Sequence, residues 1–151
     1  MFKSFLNARE PQSWSSFIDR YLETIFVDGG RGPTEFDCWG MARDVQIATG
    51  VNSATLPAFG AVPASDKAGM TAAFHELSAS FPIAHIQPLS LALGFKGNRL
   101  WHIGTVVPDG SQLAILHTSA SFGPHITPLS YFDRSFTRTE YRYADAGVLS
   151  Q

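Results

Sequence analysis

Thr34-Glu35-Phe36-Asp37-Cys38-Trp39-Gly40 holds the one cysteine of the chain and opens a helical pattern. Met41, Ala42, Val45 and Ala48 supply its apolar positions, and Gly50 supplies its stop. Thr34 followed three residues later by Asp37 has the form of a capping box, with Asp where Glu is usual. Cys38 then falls in the first helical turn, where unpaired N–H groups and the positive end of the macrodipole favour an anion. A thiolate is such an anion, so the stretch predicts an acidified, nucleophilic Cys38. The competing reading of the same residue is a small hydrophobe packed into a buried helix.

Before this stretch, Trp14, Phe17, Ile18, Tyr21 and Ile25 recur at helical spacing behind Ser13, an acceptable N-cap. They predict an amphipathic helix within residues 12–26. The run Asp28-Gly29-Gly30-Arg31-Gly32-Pro33 breaks regular structure and delivers the chain to Thr34. The cysteine helix, expected over about 36–49, carries little charge apart from Arg43 and Asp44, which suits burial on more than one side. A loop marked by Pro57, Gly60 and Pro63 follows, then a surface helix over 65–80 with Ala68, Ala72, Phe74 and Leu77 inward, ended by Pro82.

From there the texture turns to short runs rich in β-formers: Ile86–Phe95, Trp101–Val107, Leu113–Thr118, His125–Leu129 and Thr139–Tyr143. Turn residues separate them, among them Pro108-Asp109-Gly110 and Gly123-Pro124. Helices first and an antiparallel meander of four or five strands afterwards predict an α+β fold rather than a βαβ fold.

The 151 residues are expected to form a single domain, with residues 1–24 as an N-terminal helical extension. With 44% hydrophobic and 16% charged residues, the chain can build a core and is not of the disordered class. A formal charge of −2 gives no footprint for nucleic acid or an anionic membrane surface. One cysteine cannot form an internal disulfide, and the N-terminus shows no signal-peptide pattern. No apolar run approaches the roughly 18 residues of a membrane span, so no membrane insertion is expected.

A cysteine nucleophile needs a base within hydrogen-bond reach and a third group to orient that base. His102 opens one strand and His117 closes its expected hairpin partner, each about seven residues from the turn, which makes them cross-strand neighbours in an antiparallel pair. His102 is then the base for the thiol, and His117 holds the far nitrogen of His102. His75, in a polar helix, and His85, near Pro82, read as structural or solvent-facing. His125 is an alternative third member. Cys38, His102 and His117 also make a zinc donor set, though without a short ligand spacing to support it. Asp109 and Asp133 are acidic candidates for the third position, but neither sits at a strand end opposite His102.

The residues Gly29-Gly30, Phe36-Asp37-Cys38-Trp39-Gly40, His102-Ile103-Gly104-Thr105-Val106 and Leu116-His117-Thr118, in that order, resemble the NlpC/P60 superfamily of papain-like cysteine peptidases. The Asp-Cys-Trp-Gly form, with Gly30-Arg31-Gly32-Pro33 before it and Leu56-Pro57 after the helix, is most similar to versions in tailed-phage tail-assembly proteins and phage-derived gene-transfer particles. The likeness spans about residues 25–143. It implies a papain-like sheet packed on the cysteine helix and a catalytic set Cys38, His102 and His117. It also implies an oxyanion and substrate site around Cys38, Asp37 and Trp39, and no cofactor. The implied activity is hydrolysis of amide bonds in peptidoglycan stem peptides. The implied setting is a virion tail tip among other tail-tip and hub proteins, with the same fold kept as a structural subunit as the alternative. Two positions depart from the family pattern. Phe26 stands where a tyrosine hydroxyl often faces the site, and Pro88-Leu89-Ser90-Leu91 replaces a Gly-Asp before the strand leading to the histidine.

Overall fold

The computed structural model describes residues 9–56 and 63–144; Pro57 and Gly60 of the expected loop lie outside them. Helix α1, Trp14–Leu22, is capped by the Ser13 side chain, which accepts from the Ser16 N–H. It buries Phe17, Ile18 and Tyr21 on the stripe that the sequence period marks out. These residues join Met41, Val45, Leu89, Val107 and Leu116 in one apolar cluster, so α1 is part of the core. The Tyr21 hydroxyl donates to Asp44 at 2.8 Å and ties α1 to the cysteine helix. The helix stops short of the expected 26 because Ile25–Phe26 forms strand β1. That strand pairs in parallel with β2, Glu35–Phe36.

Helix α2, Cys38–Ala48, buries Cys38, Trp39, Gly40, Met41, Ala42, Val45 and Gln46, and is covered on more than one side as expected. Its cap differs from the expected one. Asp37, not Thr34, is the N-cap, in extended conformation with its carboxylate accepting from the Gly40 N–H at 2.8 Å. The Thr34 carbonyl instead accepts from Ile25 N–H in the small sheet, which removes Thr34 from the helix start. Gly40 is required here: a Cβ would lie 2.0 Å from the Gly30 carbonyl oxygen. Helix α3, Lys67–Ser78, is capped by Asp66 and buries Met70, Phe74 and Leu77.

The main sheet contains β3 (Leu91–Lys96), β4 (Arg99–Asp109), β5 (Gln112–Ser119), β6 (Gly123–Pro128) and β7 (Arg138–Arg142) in the spatial order β6-β5-β4-β3-β7. Every described pairing in it is antiparallel. Four strands form the expected meander. The fifth crosses back to pair with β3 at the opposite edge, through a helix α4, Leu129–Arg134, that periodicity did not mark. Helices α2 and α3 cover one face, where Leu91, Leu93 and Ile103 meet Trp39 and Phe74. Phe132 of α4 covers the other, against Ala92, Val106 and Ile115. The architecture is α+β, with five antiparallel strands. Among the described residues no helix is long and apolar enough to cross a membrane.

Candidate active site

Backbone pairing of β4 with β5 runs from the Asp109–Gln112 turn to Thr105–Leu116 and stops there. Beyond that point side chains join the strands. Extending the register would set His117 opposite Gly104, so His102 and His117 are diagonal neighbours, two residues from the direct cross-strand pairing expected of them. The diagonal suits long side chains on one face of a sheet. Nε2 of His102 lies 2.7 Å from Nδ1 of His117. Gly104 makes room, since a Cβ there would come within 3.1 Å of the His117 Cβ and 2.5 Å of Ile115. Nε2 of His117 in turn lies 3.1 Å from Oγ1 of Thr127 on β6. The imidazoles are walled by Phe132 and by Phe136, whose ring stacks on His102 at 6.1 Å and 13°.

Cys38 is the first residue of α2 and belongs to the opposite, helix-covered side of the sheet. Cys38 and His102 nevertheless both line one cleft of about 260 Å³. Phe26 and Asp28 come to it from the segment at β1, Ser65 and Lys67 from the start of α3, and Thr118 from the end of β5. Lys67 donates to the Trp101 carbonyl at 2.8 Å and stands over the Trp101 ring. The Thr118 hydroxyl is buried with no hydrogen-bond partner among the described residues.

Asp37 does not line the cleft. Its carboxylate is fully buried and accepts from four donors: Gly40 N–H and Arg31 Nη1 on one oxygen, Gly29 N–H and Ala64 N–H on the other. It fixes the loop before α2 and the chain before α3 against the helix start, and so sets the walls of the cleft. Trp39 is fully buried in the core behind Cys38.

The electrostatics overturn the expected acidification of Cys38. Burial pushes the thiol up to about 11, and the Asp37 carboxylate adds to this; the Ile103 amide, Lys67 and the Trp39 amide oppose it. One helix terminus cannot offset the removal of a charge from water. Burial likewise pushes His102 down to about 3, aided by Lys67 and His125, and His117 down to about 2, aided by His102 and His125. At neutral pH the cleft therefore has a protonated thiol at Cys38 and a neutral imidazole at His102, itself joined to a neutral His117.

Depressed histidines have a consequence for stability. Their ordinary value is 6.5, so as pH falls below it the unfolded chain takes up protons that the folded chain refuses. Each then costs up to about 1.4 kcal/mol of stability per pH unit. Urea unfolding between pH 6.5 and 5 should show a falling midpoint, and His102→Gln/His117→Gln should flatten that fall relative to wild type.

His125 lies opposite His117 on β6, with ring centroids 4.2 Å apart, but its Nδ1 is engaged with the Gly123 carbonyl. Of the two, it is His117 whose ring nitrogen lies within hydrogen-bond distance of His102. His75 is exposed on α3, and His85 lies in the segment before β3. Asp109 is at the far turn, while Asp133 accepts from Thr139 and Tyr141. Among the described residues no three His, Cys, Asp or Glu side chains are placed to hold a metal ion. Thr127 carried no short-range signal; only the β5–β6 register brings it to His117.

No protein-family model matches the chain, and no curated protein matches it.

Proposed function

We propose that the protein is a cysteine peptidase of the papain-like NlpC/P60 type. In this reading it cleaves amide bonds in peptidoglycan stem peptides, at a phage tail tip and among other tail-tip and hub proteins. The observation that carries the reading is the shared cleft: Cys38 at a helix start and His102 line it together, with His117 holding the far nitrogen of His102. The sequence order of the same residues adds the family likeness.

The neutral resting group dictates how the chemistry runs. His102 takes the thiol proton as the sulfur attacks the substrate carbonyl carbon, rather than before attack. The Cys38 backbone N–H is the donor for the resulting oxyanion, and each such donor contributes roughly 3–4 kcal/mol in studied hydrolases. Collapse breaks the C–N bond, and His102 passes its proton to the leaving amine. The acyl group is left as a thioester on Cys38. Water then attacks that thioester while His102 removes one of its protons; the acid leaves and the thiol is re-formed. Lys67 offers the substrate one cationic contact, and Phe26 lines the cleft with no hydroxyl to add.

A structural role at the tail tip is the second reading, favoured by one observation: the thiol is buried and no hydrogen bond joins it to His102. Digestion of purified peptidoglycan separates the two. Wild-type protein should release stem-peptide fragments and Cys38→Ala should release none.

A further inference from the structure

Two neutral imidazoles in series can be hydrogen-bonded in only two ways, and they differ in what they leave for the thiol. In one, Nε2–H of His102 donates to Nδ1 of His117, and Nε2–H of His117 donates onward. Nδ1 of His102 then keeps its lone pair and is a base. In the other, every proton sits on the opposite nitrogen. His117 donates from Nδ1 to His102, and the remaining nitrogen of His102 carries a hydrogen and cannot accept one. Only the first arrangement serves Cys38, and it needs an acceptor beyond His117. Among the described residues that acceptor is Oγ1 of Thr127, 3.1 Å from Nε2 of His117. Both residues are buried, each 8% exposed, so water is poorly placed to substitute. The strand geometry fixes the contact: Thr127 pairs with Ile115 and His125 with His117, which makes Thr127 a diagonal neighbour of His117 on the same face.

We propose that the Thr127 hydroxyl, which can either accept from Nε2 of His117 or donate to it, acts as the acceptor, so that Thr127 is a positioning residue through which His117 and then His102 take the tautomer that presents a lone pair to the Cys38 side. The catalytic consequence rests on the peptidase reading; the tautomer assignment does not. A valine at 127 keeps the shape and removes the acceptor. The base-forming arrangement would then strand a buried N–H, and an unpaired buried donor is costlier than an unpaired ring nitrogen. Both rings shift to the opposite tautomer, and His102 ceases to be a base.

The test is ¹⁵N NMR of histidine-labelled wild type, Thr127→Val and Thr127→Ser near neutral pH, with His102→Gln and His117→Gln for assignment. Wild type and Thr127→Ser should carry the proton of both rings on Nε2, and Thr127→Val should carry it on Nδ1. On peptidoglycan, Thr127→Val should lose about 10- to 100-fold in kcat, the scale of one unpaired buried donor, and Thr127→Ser should recover most of it. A wild-type His117 protonated on Nδ1 overturns the proposal even if Thr127→Val does not fold. So does an unchanged tautomer in a folded Thr127→Val. A tautomer change with no hydrolysis by any form supports the Thr127 assignment and defeats the peptidase reading instead.

Discussion

Asp37→Ala should destabilise the protein by about 4 kcal/mol. The N-cap alone is worth about 0.5–2 kcal/mol. The larger share comes from what the carboxylate leaves behind. Arg31, Gly29 N–H and Ala64 N–H all point at a fully buried carboxylate; breaking a buried ion pair on one side costs about 3–5 kcal/mol, and the partial exposure of Arg31 puts this pair at the low end of that range. Asp37→Asn keeps the size but turns an NH₂ toward N–H donors, so it should recover only part of the loss. Urea unfolding at pH 7 reads both. A loss under about 1 kcal/mol for Asp37→Ala would mean the four contacts contribute little beyond a cap. The cleft should suffer as well, because Asp37 holds Gly29 and Ala64, next to the cleft-lining Asp28 and Ser65, against the start of α2.

His102→Ala should lower kcat on peptidoglycan by about 10³- to 10⁴-fold, at the upper end of what general acid–base catalysis contributes. The reason is the protonated resting thiol. Where a thiolate–imidazolium pair is preformed, the nucleophile exists before the base acts; here burial pushes Cys38 up to about 11, and proton removal must accompany attack. The pH dependence follows with a definite sign. His102 is a base whenever it is unprotonated, and burial holds it so down to about 3. Activity should therefore stay level as pH falls through 6.5, the ordinary histidine value, for as long as the fold survives. An acid limb centred near 6.5 would show instead that His102 is solvated in the working enzyme. Measuring kcat/KM from pH 5 to 8 on one soluble stem peptide decides this.

Much of the scaffold was legible because it rests on local regularities. Trp14, Phe17, Ile18 and Tyr21 mark a helix by their spacing alone, and the runs around Leu93, Val106, Ile115 and Ile126 mark strands between turn residues. The ends of elements were less legible: Ser13 was readable as the cap of α1, but the small β1–β2 sheet cuts that helix short, Asp66 trims α3, and Asp37 rather than Thr34 starts α2. Helix α4 has six residues, too few to establish a period. The return of β7 to the β3 edge depends on long-range pairing that no local run encodes.

At the site, the order Cys38, His102, His117 singled out two residues that share a cleft, and the hairpin count placed the two histidines within two positions of their register in the sheet. Two features lay beyond sequence reasoning. Thr127 meets His117 only through the β5–β6 ladder. The proton affinity of Cys38 depends on how deeply the sheet buries it, and that burial outweighs the helix terminus that sequence alone displays.

The most direct test of the peptidase account is mass spectrometry of the protein quenched during digestion of purified stem peptides, with the products analysed in parallel. The expected result is an acyl thioester on Cys38 of the wild type, accompanied by cleaved fragments, with both absent from Cys38→Ala. Fragments that persist in Cys38→Ala, or intact peptides of every wall chemotype left unchanged by the wild type, would contradict it.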